Sequence, residues 1–521
     1  MATPNEKLAA SLAKLQELQR AGRRVFQSKE FSRTHRERLL RGGFVREVMK
    51  GWLISSSPNA DPGDTTPWFA SFWEFCARYC QERFADRWHL SPEQSLLIHA
   101  EDTIVPTQVV VYAPAGTNNT LQLLFATSLY DLKQSQLPPA ADLLVRDGLR
   151  LYEPEAALVK ASEAFFVQKP LEAQIVLARI RDASGLLRRL LDGGHSAIAG
   201  RLAGAFRAVG KPEIADEIVR AMKAATYDVR ESDPFETRPI VGRVEVGKAP
   251  APIVTRIRSL WSSLRDDVAD NFPSAPGLPN NRKDYLRFVD EIYRSDAYHS
   301  LSIEGYSVTP DLIDRVRSGN WSPDQHPDDR QSRDALAARG YWQAFRLVKA
   351  AVDETIGGAN AGGLARTAHR DWYRELFEPC VRAGLLAPSA LAGYRSNAVF
   401  IRGSRHVPPR SEAVRDAMPA LFDLLETEAK PAVRAVLGHW LIGYIHPYPD
   451  GNGRVARFLM NVMLASGGYP WTVIRVEDRS AYMAALEAAS VGLDIKPFAK
   501  FLAERVQWSI EQRAEKTSER T

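Results

Sequence analysis

The first 55 residues change from a helical to a strand-like spacing of hydrophobic positions. Leucines recur at helical intervals over residues 5–21, and Gly22 follows where a helix cap is expected. A basic stretch from Ser32 to Leu40 comes next, and residues 44–54 alternate like two short strands around the turn Lys50-Gly51. This order of helix, basic helix and hairpin predicts a winged helix-turn-helix unit over residues 1–60.

The spacing of hydrophobic positions changes twice between residues 61 and 279. A Trp- and Phe-rich helical stretch near 68–86 is followed by strand-like runs at 108–112 and 120–125, which predicts a small mixed α/β unit over 61–170. Residues 171–235 place leucines and isoleucines at spacings suited to a helical segment. Residues 236–279 are rich in proline and are predicted to be a linker.

The C-terminal half is predicted to be helical over 280–510, apart from an irregular stretch at 393–410, with a polar tail at 511–521. An apolar helix at about 415–445 should end at His446-Pro447, because proline cannot continue a helix. A second helix should begin near Gly453 and bury one apolar face. The predicted fold class is therefore mainly α and multidomain.

Composition narrows the class of protein. A chain of 521 residues suggests two to four domains, and 45% hydrophobic with 25% charged residues excludes a disordered or fibrous chain. We expect no membrane partner, because no run of eighteen apolar residues occurs, and we see no export signal. Three cysteines cannot form a disulfide framework, so we expect a cytoplasmic protein.

The twelve residues from His446 to Arg457 combine the groups that phosphoryl transfer needs. Glycines around Asn452 allow backbone N–H groups to form an anion nest, and the N-terminus of the following helix adds positive partial charge. Arg454 and Arg457 lie on one side of the first turns, and both can reach a polyphosphate. Asp450 offers a hard oxygen to Mg²⁺, and His446 can act as a base.

These residues resemble the signature of the Fic family, His-Pro-Phe/Tyr-x-Asp/Glu-Gly-Asn-Gly-Arg-x-x-Arg, with every fixed position present. The resemblance implies an all-helical domain with a β-hairpin flap over 280–510. It also implies an enzyme, a protein adenylyltransferase that moves AMP from ATP to a Ser, Thr or Tyr hydroxyl of a target protein.

The resemblance also assigns roles to residues. His446 would deprotonate the target hydroxyl, Asp450 would hold Mg²⁺, and Arg457 would hold the γ-phosphate while pyrophosphate leaves. The implied nucleotide-binding set is Asp450, Gly451, Asn452, Gly453, Arg454, Val455, Ala456, Arg457, Tyr482 and Ser490. Where Ser490 stands the family usually has Asn, and Tyr482 can equally be a core tyrosine.

Two further segments resemble parts of the family. Residues 399–409 alternate like an edge strand and resemble the flap, with Ile401, Arg402, Gly403 and Ser404 as the candidate flap residues, although any surface hairpin reads this way. Ser300, Glu304 and Gly305 match the inhibitory pattern Ser/Thr-x-x-x-Glu-Gly/Asn, which implies an inhibitory helix at about 285–306. Glu304 paired with Arg457 would occupy the γ-phosphate position. Open alternatives are a different donor nucleotide, or removal of AMP with Glu304 orienting a water.

Charge singles out the N-terminal segment. Residues 1–50 hold twelve Lys or Arg against five Glu, so this segment carries +7. The candidate DNA contacts are Arg33, Arg36, Arg38, Arg41 and Lys50. Residues 1 to about 170 look similar to antitoxin-like regulators of the AbiE type, which makes a DNA-binding regulator with a nucleotide-sensing Fic domain the alternative function. A solvated helix or a protein-docking module fits the same charges, and a homodimer is left open.

Overall fold

The computed structural model describes residues 3–58, 63–235, 251–319 and 333–518. Its contacts divide the chain into an N-terminal unit, Met1–Pro252 with Phe400–Val407, and a C-terminal unit, Ile253–Val399 with Pro408–Thr521. Helices dominate the described residues, which agrees with the predicted fold class. The helices are α1 (Pro4–Leu18), α2 (Arg33–Arg41), α3 (Thr66–Phe84), α4 (Pro92–His99), α5 (Pro154–Lys160), α6 (Glu163–Gln168), α7 (Pro170–Arg179), α8 (Ser184–Gly193), α9 (Ser196–Ala208), α10 (Pro212–Ala224), α11 (Pro252–Asp270), α12 (Arg282–Ile303), α13 (Pro310–Arg317), α14 (Arg333–Ile356), α15 (Ala361–Arg382), α16 (Ser411–Thr427), α17 (Pro431–Ile445), α18 (Asn452–Ala465), α19 (Arg479–Val491) and α20 (Lys496–Ser518).

The strands among the described residues form three small sheets in the N-terminal unit. The first has the order β1-β3-β2, the second β4-β5-β7-β6 with β5 and β7 parallel, and the third pairs β8 with β9. The strands are β1 (Val25–Gln27), β2 (Val45–Met49), β3 (Trp52–Ser55), β4 (His89–Leu90), β5 (Gln108–Ala113), β6 (Asn119–Gln122), β7 (Ser128–Lys133), β8 (Leu143–Arg146) and β9 (Leu149–Tyr152).

The start of the chain contains the predicted helix, basic helix and hairpin. Ser32 caps α2 by accepting a hydrogen bond from the His35 N–H, and β2 and β3 pair around the turn at Gly51. Leu15, Leu39 and Leu53 are buried together between the helices and the sheet. The sequence pattern missed β1, because three residues are too short to produce a recognisable alternation.

The predicted linker over 236–279 needs a correction. Residues 236–250 lie outside the described residues, but α11 is a helix of 19 residues within this range. Ile253, Ile257, Leu260, Leu264 and Val268 are all buried, at intervals of three or four residues. The proline content hid this helical stripe, which lies between Pro252 and Pro273.

A second correction concerns the apolar helix expected at 415–445. The structure has two helices there, α16 and α17, separated at Glu428 to Lys430. Glu428 accepts hydrogen bonds from the Lys430 N–H and from Arg265, and Pro431 begins the second helix. A proline at the first position of a helix fits a new start better than a continuation.

No helix in the described parts of the chain is long and apolar enough to cross a membrane.

The hairpin expected at 399–409 is absent from the described structure of this segment. Ile401 to Ser404 form a turn, in which the Ser404 N–H donates to the Ile401 carbonyl at 3.1 Å. Within the N-terminal unit, His406 instead forms an isolated antiparallel bridge with Ile104. Pro408 and Pro409 have no N–H groups, so the chain cannot continue as a returning strand.

Candidate functional site

The signature residues form the connection between α17 and α18. His446 closes α17 in the left-handed conformation, with φ of 51°, and Gly451 precedes α18 with φ of 78°. A Cβ atom on Gly451 would lie 2.8 Å from the Phe377 ring, so both conformation and space require glycine there. Two left-handed residues therefore set the path of the loop.

The Asn452 side chain braces this loop. Its Oδ1 accepts from the Tyr448 N–H at 2.9 Å, and its Nδ2 donates to the Tyr448 carbonyl at 2.8 Å. The side-chain amide is therefore engaged within the loop. The backbone N–H groups in the first turn of α18 remain available to bind an anion, because they have no carbonyl partner four residues earlier in the helix.

His446 is held with one ring nitrogen directed at the backbone. Nδ1 lies 3.3 Å from the Gly443 carbonyl, which places the proton on Nδ1 and leaves the lone pair on Nε2. Burial, together with the nearby Arg395 charge, lowers the pKa of His446 to about 4. The imidazole is therefore a neutral base at physiological pH.

Arg395 is a site residue that the sequence pattern missed. Its Nε donates to the His446 carbonyl at 2.7 Å, its Nη1 donates to the Asn397 carbonyl at 3.0 Å, and its backbone N–H donates to the Pro447 carbonyl at 2.9 Å. Only 4% of Arg395 is exposed, and burial lowers its pKa to about 10. The residue fixes the backbone on both sides of the left-handed turn. No local motif marks it, because it lies 51 residues before His446.

Arg457 is bound by the end of α12. Its Nε donates to the Ser300 hydroxyl at 2.9 Å, and its Nη2 donates to the Ser300 carbonyl at 3.1 Å and to Glu304 Oε1 at 2.7 Å. The guanidinium is almost fully buried. The structure thus brings Ser300 and Glu304 to the arginine that the inhibitory pattern predicts.

The Glu304 carboxylate lies at the N-terminus of α18. A Cβ atom on Gly453 would be only 2.4 Å from Glu304 Oε1, so glycine is needed for this approach. Burial works to raise the pKa of Glu304, but the charges of Arg457 and Arg454 outweigh it and lower the pKa. A carboxylate of this chain therefore occupies the position that the helix end and the two arginines make favourable for an anion.

Arg454 is buried but incompletely bonded. Its guanidinium lies 5.4 Å from the centre of the Tyr306 ring and 5.0 Å from that of Phe377. Its Nε and Nη2 have no hydrogen-bond partner among the described residues. The nearest carboxylate, Asp450, is 3.5 Å from Nη2 and is largely exposed. A buried Nε without an acceptor, beside an Nη2 whose contact with Asp450 is long at 3.5 Å, indicates a place for an anionic ligand.

Four more residues were predicted to bind nucleotide, namely Val455, Ala456, Tyr482 and Ser490. Val455 and Ala456 are buried in α18, and the Val455 N–H donates to the Gly451 carbonyl. The Tyr482 hydroxyl lies 2.6 Å from His439 Nε2, and the Ser490 hydroxyl accepts from the Trp440 indole at 3.0 Å. The roles of Tyr482 and Ser490 toward adenine stay predictions. In the described parts of the chain, no group of three or more His, Cys, Asp or Glu could hold a metal ion.

Acid should weaken the fold around this site. Burial lowers the pKa of His369 to about 4 and that of His439 to about 3, whereas burial raises the pKa of Asp296 to about 6. The unfolded chain protonates the two histidines near pH 6.5 and the folded chain does not, so their stabilisation is present above that pH and is lost on acidification. Asp296 has the opposite effect on stability. Its carboxyl binds a proton at a higher pH in the folded chain than in the unfolded chain, so acidification stabilises the fold through this residue.

His446, with a pKa of about 4, adds to the loss, so the net loss of unfolding free energy between pH 6.5 and 5.5 should be about 2 kcal/mol from these four groups. Thermal unfolding at both pH values measures it. A His439→Gln variant should lose part of the pH dependence, and equal pH dependence in both proteins would contradict the assignment.

Part of the chain is similar to known proteins. Residues 364–464 match the model of the Fic/DOC family. The chain is 27% identical to "Protein adenylyltransferase Fic" of Nematostella vectensis over 285 residues, which cover 54% of this chain and 61% of that protein. It is 34% identical to "Protein adenylyltransferase fic-1" of Caenorhabditis elegans over 311 residues, which cover 58% of this chain and 55% of that protein. The chain thus spans somewhat more than half the length of these relatives.

Solved structures of Fic proteins are also similar to this chain. Residues 134–508 of Fic-1 from C. elegans are 17% identical, with a TM-score of 0.39, and the match covers 71% of this chain and 97% of that one. A Fic-domain-containing signaling protein from Bacteroides thetaiotaomicron is 21% identical, with a TM-score of 0.35, and covers 50% of this chain and 96% of that one.

Proposed function

We propose that this protein is an adenylyltransferase that moves AMP from ATP to a Ser, Thr or Tyr hydroxyl of a target protein, and that Glu304 keeps it inhibited. The names of the two adenylyltransferase relatives, from Nematostella vectensis and Caenorhabditis elegans, support the reaction type. The observation that carries the proposal is the Glu304 carboxylate beside Gly453, bonded to Arg457, because it marks an anion site built from a helix end and arginines.

A nucleotide triphosphate fits this anion site. The first backbone N–H groups of α18 and the Arg454 Nε and Nη2, which have no hydrogen-bond partner among the described residues, can bind phosphate oxygens. Arg457 supplies a buried positive charge for the end of the triphosphate chain. The γ-phosphate and the Glu304 carboxylate then compete for Arg457, so ATP binds productively only when Glu304 has left it.

The chemical step uses His446 as the base. The target hydroxyl transfers its proton to Nε2 as its oxygen bonds to the α-phosphorus, and the bond from that phosphorus to the α–β bridging oxygen breaks. Pyrophosphate leaves with the electron pair of the broken bond. The low pKa of His446 keeps the imidazole unprotonated before the reaction, and Arg395 holds its backbone in place.

The residues present fit a magnesium ion that arrives with the nucleotide. One Asp450 oxygen accepts the Gly451 N–H at 2.6 Å, the other lies 3.5 Å from Arg454 Nη2, and the carboxylate as a whole is largely exposed. Such a site, with one carboxylate and otherwise nucleotide oxygens and water, is common for Mg²⁺. The bound ion would neutralise negative charge on the phosphates.

Labelled ATP tests the proposal. With the Glu304→Gly variant and a cell lysate as acceptor, label on the α-phosphate should become attached to protein and label on the γ-phosphate should not. Attachment of γ-label would instead indicate phosphorylation. Transfer from another labelled nucleoside triphosphate, or release of AMP from modified protein, would favour the alternative donor or the reverse reaction.

We propose DNA binding by the N-terminal unit as a second function, supported by the basic side chains around α2. Arg33 and Arg41 on α2 and Lys50 at the β2–β3 turn are exposed, and Arg36 is partly exposed. Arg33 is paired with Glu37 at 2.8 Å and Arg38 donates to the Lys7 carbonyl, which reduces their availability to phosphates. The charge of this surface suits a polyanion.

Salt dependence tests this second function. Binding of the full chain to a fluorescent DNA duplex should weaken linearly in a log–log plot against salt, with a slope of about −3. Exchanging Arg36 and Arg41 for alanine should reduce the slope by about 2, whereas Lys14→Ala, which removes a charge paired with Glu17 on α1, should not. Binding that is insensitive to salt would exclude this function.

A further inference from the structure

We propose that Tyr306 is a positioning residue that anchors the inhibitory segment, because it holds Arg454 while Glu304 holds Arg457. This inference rests on the proposed function, since it concerns how the nucleotide site is kept closed. Its basis is a pair of contacts from one helix end to both arginines of the signature.

The end of α12 fixes where these two side chains lie. The Gly305 N–H donates to the Ser302 carbonyl at 3.0 Å, and the Tyr306 N–H donates to the Leu301 carbonyl at 3.1 Å. Gly305 is left-handed, with φ of 86°. These two bonds and the left-handed glycine form a Schellman motif, which reverses the chain directly after the helix. Glu304 and Tyr306, on either side of this glycine, therefore have defined positions.

The Tyr306 ring lies among cations. Its centre is 5.4 Å from the Arg454 guanidinium carbon and 5.1 Å from that of Arg333, both within the range of cation–π attraction. The ring is partly buried, and Arg454 is almost entirely buried, so water screens their attraction only weakly. Phe377 contacts the same guanidinium at 5.0 Å.

Two attachments explain how a short segment can compete with ATP. Glu304 must leave Arg457 before a γ-phosphate can bind there, and that movement is easier when the chain beside it is free. The contact of Tyr306 with Arg454 restrains this chain two residues away. Loss of the Tyr306 ring should therefore weaken inhibition only while Glu304 is present. Without the Glu304 carboxylate the segment no longer occupies Arg457, so restraining the segment should not affect nucleotide binding.

Binding of the non-transferable α,β-methylene analogue of ATP, with Mg²⁺, tests this anchor by calorimetry on the full chain. Tyr306→Ala should bind the analogue about 5-fold more tightly than the unchanged protein. Tyr306→Phe keeps the ring and should stay within about twofold, whereas Tyr306→Leu keeps apolar bulk without the ring electrons and should resemble alanine. In the Glu304→Gly background, Tyr306→Ala should change affinity by less than about twofold.

Three results would overturn the anchor. The first is unchanged affinity in a Tyr306→Ala protein whose melting temperature shows that it is folded. The second is an affinity of Tyr306→Leu equal to that of the unchanged protein. The third is weaker binding by the Glu304→Gly/Tyr306→Ala protein than by Glu304→Gly alone. The last would mean that the ring orients Arg454 for the nucleotide. Failure of the proposed function looks different: Glu304→Gly would bind the analogue but transfer no α-label, while the effect of Tyr306 on affinity would persist.

Discussion

A His446→Ala variant made in the Glu304→Gly background should lose AMP transfer by about 1,000-fold, because the acceptor hydroxyl then has no base. The ring lies beside the loop that leads to α18, with Nδ1 directed at the Gly443 carbonyl and Nε2 available to the acceptor. Its pKa of about 4 means that the lost group is an unprotonated imidazole. The rate of α-label transfer to protein measures the effect.

Binding should separate this chemical role from a structural one. Affinity for the α,β-methylene analogue of ATP should stay within about threefold, because the proposed phosphate contacts come from α18 and its arginines. His195→Ala, at an exposed histidine of the N-terminal unit, is the matched control and should transfer AMP at the unchanged rate. More than a tenth of the rate remaining in His446→Ala would argue against His446 as the base.

A Glu304→Gly variant should transfer AMP about 100-fold faster than the unchanged protein, as expected if about 1% of the chain is open at rest. The exchange removes the carboxylate that bonds to Arg457 at 2.7 Å and that lies beside Gly453. Arg457 keeps its hydrogen bonds to Ser300, so the guanidinium stays near its present position. The same label assay measures the gain.

Two further variants distinguish the carboxylate from the flexibility of a new glycine. Ser302→Gly adds a glycine to the same helix end, leaves Glu304 in place and should remain inhibited. Glu304→Gln keeps the size of the side chain but loses its charge, and should be activated to a large part of the glycine level. Equal activation by Ser302→Gly and Glu304→Gly would show that the carboxylate is not the inhibitor.

The local shape of the candidate site follows from residues close together in the chain. Pro447 ends α17, Gly451 supplies the left-handed turn, and Asn452 binds the backbone of a residue four positions earlier. Such short-range sterics and hydrogen bonds leave a readable signature. The leucine and isoleucine spacing over 171–235 was readable for the same reason, and Leu177, Leu186 and Leu190 are buried there.

Other expectations failed where neighbours distant in the chain decide the structure. The alternation at 399–409 suggested a hairpin, but the edge at His406 pairs with Ile104, about 300 residues earlier, and two prolines prevent a returning strand. The apolar run before His446 suggested one helix, yet Glu428 bonds Arg265 and a new helix begins at Pro431. Hydrophobic periodicity carries no information about such partners.

The chemistry available to this protein follows from one short segment of its sequence: an imidazole, a carboxylate and two arginines around a glycine-rich helix start lie within twelve residues. The residues that face these groups come from distant segments. Glu304 reaches Arg457 across 153 residues, a contact that the resemblance to the family's inhibitory pattern had suggested, and Arg395 reaches the His446 carbonyl across 51 residues, which no pattern had suggested. Both contacts depend on the packing of separate helices, and hydrophobic spacing along the chain carries no information about such packing.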